Sequence, residues 1–142
     1  VPEISFIDAA IEDLESLDGS ALRLVLGKLR ILETNAEAGQ PLGRRRTGDL
    51  TNYRKLVVGD RDYRIVYRVD TDGGVCVIWV IAARADEEAY DETLRRLSLL
   101  GPHPVAVSLV DALETIKPAV QRRIMRIRPD LQPSPDPPVD SR

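Results

Sequence analysis

The feature that most constrains this chain is the run at residues 75–82, VCVIWVIA, apolar at odd and even positions alike. Alternate side chains of a strand point to opposite faces. Val75, Val77, Trp79 and Ile81 would therefore share one face, and Cys76, Ile78 and Val80 the other. Such a strand lies inside a sheet and needs cover on both sides. Two more β-rich runs precede it, at 53–58 and 63–70, with turn formers at Gly59-Asp60 and Asp72-Gly73-Gly74. Connections this short join antiparallel neighbours. With a first strand at 3–7, where Ile4 and Phe6 alternate, the expected class is α+β: a twisted, mainly antiparallel sheet of about four strands.

The cover is written in the flanking segments. Asp8 is a good N-cap before Ile11, Leu14 and Leu17 at helical spacing. Asp18-Gly19 breaks that run, and Ser20 can cap a second helix striped by Leu22, Val25, Leu26, Leu29 and Leu32. The two are expected as an antiparallel helical hairpin on one face of the sheet. Residues 36–52, rich in glycine and turn formers, read as a loop. Asp86 can cap a third helix with Glu87 and Glu88 in its first turn, and Leu94, Leu97 and Tyr90 mark its inner side. Gly101-Pro102-His103-Pro104 is a break with His103 as exposed linker. Ser108 then caps an amphipathic stretch carrying Leu109, Leu113, Ile116, Val120, Ile124 and Ile127, which Pro118 kinks or restarts. The Pro-rich end, 129–142, reads as disordered. The organisation expected is a domain at 1–98, a C-terminal helical extension at 99–128 and a loose tail.

Charge is unevenly placed. The chain carries −3 overall. Residues 44–68 hold eight bases against three acids, a net +5, whereas residues 1–43 hold three bases against eight acids, a net −5. A basic block on an acidic protein focuses anions onto one site; a solvated sheet edge is the plainer reading of the same charges. One cysteine and one histidine argue against a disulfide framework and against a Cys- or His-based metal centre, so no cofactor is expected. No signal-peptide pattern opens the sequence, and the longest apolar run falls short of the roughly 20 residues that span a bilayer. A cytoplasmic protein without membrane association is the expectation.

The order strand, two helices, Arg-rich loop, followed by GDLxxYRKL, DYRIVYRV (62–69) and ARxDEEAYDETL, resembles the RelE/ParE superfamily of toxins from bacterial toxin–antitoxin pairs. The resemblance covers residues 3–98, and Arg84 followed by Tyr90 points to its RelE-like ribonucleases. It implies cleavage of ribosome-bound mRNA without a metal and a cognate antitoxin as partner. It also implies a catalytic set of Arg64 on the reacting phosphate, Arg84 near the leaving oxygen and Tyr90 on the nucleotide. Arg54 falls where the family often has a lysine, and a second family lysine falls on Leu56. Lys55, next to both, points to the opposite face of its strand. Arg44, Arg45, Arg46, Arg54, Lys55 and Arg61 are the candidate RNA-binding residues. Each also has a structural reading: Arg64 as a sheet arginine paired with Asp49 or Asp62, Arg84 as a cap near Asp86, Tyr90 as packing on the last strand. The alternative function is a non-nuclease acting by protein binding, either a ParE-like gyrase inhibitor or a degenerate toxin. The apolar stripe of the extension is expected to dock on the body or to form a homodimer, with Arg122, Arg123, Arg126 and Arg128 as an alternative RNA- or ribosome-binding feature.

Overall fold

A computed structural model describes residues 3–45, 48–60, 63–70, 74–83 and 85–131. In chain order the elements are β1 (Glu3–Ile7), α1 (Asp8–Glu15), α2 (Gly19–Leu32), β2 (Gln40–Arg45), β3 (Gly48–Val58), β4 (Tyr63–Asp70), β5 (Val75–Ala82), α3 (Asp86–Leu100), β6 (Ala106–Ser108), α4 (Leu109–Ala112), α5 (Pro118–Ile127) and a closing 3-10 turn (Pro129–Leu131). The described strands form one six-stranded sheet in the order β2-β3-β4-β5-β1-β6. β1 runs parallel to β5, and all other pairs are antiparallel.

The α+β class is as expected, but the sheet is wider than four strands for two reasons. Residues 36–52 are not a loop throughout. Most of them build β2 and the start of β3, with an irregularity between Pro41 and Gly43 where Gly43 adopts φ 69°. Glycine takes that left-handed conformation without a Cβ clash, and Pro41 is tolerated because β2 is an edge strand. The second addition is β6, which pairs with β1 through Ser5↔Ser108, Phe6↔Val107 and Ile7↔Ala106.

The expected helical hairpin is not the organising unit. α1 packs on β5 and β1, while α2 packs on α5 and β3. The apolar stripe of α2 is buried throughout. Its N-cap is Asp18 rather than Ser20, with Oδ1 accepting from the Ala21 N–H at 2.8 Å. β5 also departs from simple alternation. Val66 pairs with Val80 but Tyr67 pairs with Ile78, leaving Trp79 as a bulge. One extra residue reverses the alternation beyond it. Ile81, opposite Ile65, therefore joins the face of Ile78 instead of that of Val77.

The two sheet faces are covered differently. On one, the Tyr67 hydroxyl donates to Ala36 O and accepts from the Gly39 N–H, both at 2.8 Å, pinning the segment after α2. On the other, α3 packs on β4 and β5. Leu94 and Leu97 pack against the core as expected, Tyr90 is buried with Ala89, and the same inner side also buries the polar Glu92, Thr93 and Arg96. Arg96 donates to both Asp13 oxygens (2.8 and 3.1 Å), to Glu92 (2.8 Å) and to the carbonyl of the bulged Trp79 (2.6 Å). Asp13 also accepts from the Ile81 N–H at 2.9 Å. This ionic knot locks α1, α3 and β5 together.

The C-terminal extension docks on the body. Leu109, Ala112, Leu113, Ile116, Val120 and Ile124 all enter the main core. Pro118 occupies the first turn of α5 and restarts the helix. Arg128 anchors the end, pairing with Glu33 (3.2 Å) and Asp130 (2.8 Å). Because the stripe is buried within one chain, the motive for a homodimer through it disappears. The disorder expected for 129–142 falls largely on 132–142, outside the described residues. No helix among the described residues is long and apolar enough to cross a membrane.

Candidate functional site

β3 and β4 pair through Lys55↔Val66 and Val57↔Arg64. Lys55 and Arg64 are thus diagonal neighbours on one face, the geometry in which long side chains of adjacent strands meet. Asp86, the first residue of α3, closes over them. Lys55 Nζ lies 2.6 Å from its Oδ2, and Arg64 Nε lies 2.6 Å from its Oδ1. Both cations are largely buried, with side chains 14% and 9% exposed, while Asp86 is 45% exposed. The carboxylate is thereby gripped from below and open from above. Hydrogen bonds from Lys55 and then Arg64 hold its pKa at about 2, below the ordinary 3.8. The helix N-terminus favours the same charge.

A pH dependence follows from this depression. Asp86 contributes stability that is fully present above its ordinary pKa and is lost as pH falls through about 2. Melting temperatures of wild type and Asp86→Asn are expected to differ by a constant amount above pH ~4 and to converge between pH ~4 and ~2. A difference unchanged at pH ~2 would show that the carboxylate is not held by these cations.

The other expected site residues are distributed as follows. Tyr90, one turn along α3 from Asp86, is 1% exposed. Its hydroxyl donates to Gly43 O (2.9 Å) and Gly48 O (2.8 Å), and the Arg45 guanidinium sits 4.2 Å over its ring. In this conformation the ring cannot stack on a nucleotide: it ties the β2–β3 hairpin to α3. Arg44 is exposed and paired with Asp49 at 3.4 Å. Arg54 is not with Arg64. It points to the Tyr67 face and donates to Gly39 O (2.8 Å) and Glu37 O (3.4 Å), closing the segment after α2. Arg46, Arg61 and Arg84 lie outside the described residues. His103 is exposed, as expected, and contacts Arg68 at 3.1 Å; Arg68 also pairs with Asp70 at 2.9 Å and donates to Pro102 O. Cys76 is buried, and burial raises its thiol pKa to about 11, so it stays unreactive.

Two facts escaped sequence reasoning. Lys55, not Arg54, joins Arg64. Counting across the β3–β4 turn from Val57↔Arg64 would have shown this, since a residue two before Val57 shares Arg64's face. Asp86 had been read only as a helix cap. Instead Ala85 holds the cap position, its N–H donating to Glu88 Oε1 at 3.2 Å.

Residues 4–88 match the family described as the ParE toxin of type II toxin–antitoxin system, parDE. A mutant of the Escherichia coli toxin RelE in the free state has a similar fold, with TM-score 0.55 and 19% identity over 68% of this chain and 97% of that one. The RelBE2 toxin–antitoxin complex of Mycobacterium tuberculosis aligns at TM-score 0.48 and 28% identity, over 59% and 100% of the respective chains. No curated protein sequence matches the chain. A family match spanning more than half the chain, on a RelE-like fold, establishes that this protein belongs to the RelE/ParE superfamily of toxins of type II toxin–antitoxin systems.

Proposed function

We propose that this toxin is an endoribonuclease that cuts ribosome-bound mRNA through attack of a ribose 2′-OH on the adjacent phosphate, and that a cognate antitoxin restrains it. The observation that carries the reading is the seat made by Lys55 and Arg64. Each cation holds one oxygen of a carboxylate, as each would hold one non-bridging oxygen of a phosphodiester. Arginine's planar fork suits that group, and its charge is permanent. In the reaction the O2′–P bond forms and the P–O5′ bond breaks. The 2′-OH proton is lost and O5′ gains one, leaving a cyclic phosphate and a 5′-OH.

Arg64 stabilises charge on the phosphoryl oxygens. Lys55, as an ammonium, holds its phosphoryl oxygen and is placed to give O5′ its proton once the phosphate displaces Asp86, while the 2′-OH proton passes to water. Asp86 itself, held at a pKa of about 2, is a weak base. Arg84 keeps its assignment near the leaving oxygen. Tyr90 acts as a positioning residue that holds the hairpin carrying Arg44 and Arg45, and these with Arg46 and Arg61 are assigned to the RNA backbone. The chemistry is assigned to side chains.

The test is cleavage of mRNA on purified ribosomes. Lys55→Met and Arg64→Ala are each expected to lower the rate about 10²–10³-fold. A 2′-deoxy substitution at the cut should abolish it, whereas EDTA treatment of the toxin, with magnesium restored for the ribosome, should not. Folded variants that cleave like wild type would sink the reading. Growth arrest with intact mRNA would assign the toxin to action through protein binding.

A further inference from the structure

On the far side of the sheet from Lys55 and Arg64, the start of α2 and the outer face of α5 enclose an open hollow of about 300 Å³. It is lined by Gly19, Ser20, Arg23, Arg123, Arg126 and Ile127. We infer that this hollow is a second anion site, one that takes the sugar–phosphate backbone of a nucleic acid.

Three observations converge on it. Among the described residues, Arg23, Arg123 and Arg126 make no ion pair or side-chain hydrogen bond, in contrast to Arg64, Arg68, Arg96 and Arg128, all buried and paired. Three unpartnered guanidinium groups around one hollow repel each other and gain from a shared anion. The second observation is local charge: residues 117–128, KPAVQRRIMRIR, hold five bases and no acid on a chain whose net charge is −3. The third is the floor. Gly19 and Ser20 open a 14-residue helix, and first-turn N–H groups lack intrahelical acceptors. Asp18 satisfies only that of Ala21 with its side chain, at 2.8 Å, and Gly19 and Ser20 are exposed.

The lining decides between partners. An acidic peptide that folds on its receptor needs apolar sockets for its anchor side chains. Here Ile127 is the single large apolar side chain in the wall. A phosphodiester backbone needs none, and bidentate arginines match its geometry. Arg123, Arg126 and Ile127 lie beyond residues 4–88, the reach of the family match, so that half of the lining belongs to what this chain adds to it.

The experiment uses the full chain and a fluorescein-labelled 2′-O-methyl RNA, which cannot be cleaved by 2′-OH attack. Its result is therefore separate from that of the cleavage assay. Anisotropy titrations at several salt concentrations compare wild type with the Arg23→Gln/Arg123→Gln/Arg126→Gln variant. Loss of three phosphate contacts should lower the slope of log K against log[salt] by about 2 and weaken binding about tenfold at moderate salt. All three side chains are exposed, so the melting curve should not move. An Arg→Lys triple variant should keep the slope while binding less tightly. An unchanged slope in the Gln variant, or a polyglutamate peptide of equal charge binding as tightly as the RNA, would overturn the inference. The latter would assign the hollow to an acidic protein.

Discussion

Deleting residues 101–142 is expected to abolish cooperative folding of what remains. The extension contributes six core side chains: Leu109, Ala112, Leu113, Ile116, Val120 and Ile124, each no more than 8% exposed. Burying a Val, Leu or Ile is worth about 1.5–3 kcal/mol, so the loss is on the order of 10 kcal/mol. A domain's whole stability is typically only about 5–15 kcal/mol. The deletion also strips β6 from β1 and bares the face of α2 that α5 covers, leaving an apolar surface and an open strand edge, both prone to aggregation. Circular dichroism during heating should show no sharp transition, and light scattering should rise. A truncated protein melting cooperatively within a few degrees of wild type would establish residues 1–100 as a self-sufficient unit and reduce the extension to an appendage.

The second large effect is expected at Asp13. Replacing it by alanine leaves the Arg96 guanidinium, 11% exposed, without its bidentate partner and with Glu92, at 2.8 Å, as its remaining ionic partner, and the Ile81 N–H without an acceptor. Removing one member of a buried ion pair typically costs about 3–5 kcal/mol, because the other charge stays buried. For a chain of this size the melting temperature should fall by about 10 °C or more. Adding Arg96→Met to Asp13→Ala should recover a substantial part of the loss, since the stranded charge goes with it. A double-mutant cycle with no coupling would contradict the structural assignment.

These two sites also mark where the sequence was legible. The β4–β5 core could be read from apolar runs and turn residues, and the stripes of α1, α2 and α5 from helical spacing, because periodicity reports which face is buried. α3 was read only in part. Leu94, Leu97 and Tyr90 pack against the core as expected, but Glu92 and Arg96 are buried beside them. Their burial depends on Asp13, 83 positions away from Arg96, and no local pattern encodes that partner. β2 was missed because glycines and Pro41 mark an edge strand and a loop alike. Arg64 was singled out by motif. Lys55 was assigned the wrong company because its strand was judged without its register, and Tyr90 was judged by residue type when its hydroxyl is committed to two backbone carbonyls.

The position of β1 has a consequence for how the toxin is made. It precedes the other described strands in the chain, yet its two neighbours in the sheet are β5 and β6, residues 75–82 and 106–108. Pairing across such separations slows folding, since the loop must close before contacts reward it. A nascent chain must therefore keep β1 waiting until β5 and β6 have been made, and this sheet is finished only once Ser108 has left the exit tunnel. Pulse-chase proteolysis of stalled nascent chains should find resistance arising late and in one step, after the extension emerges.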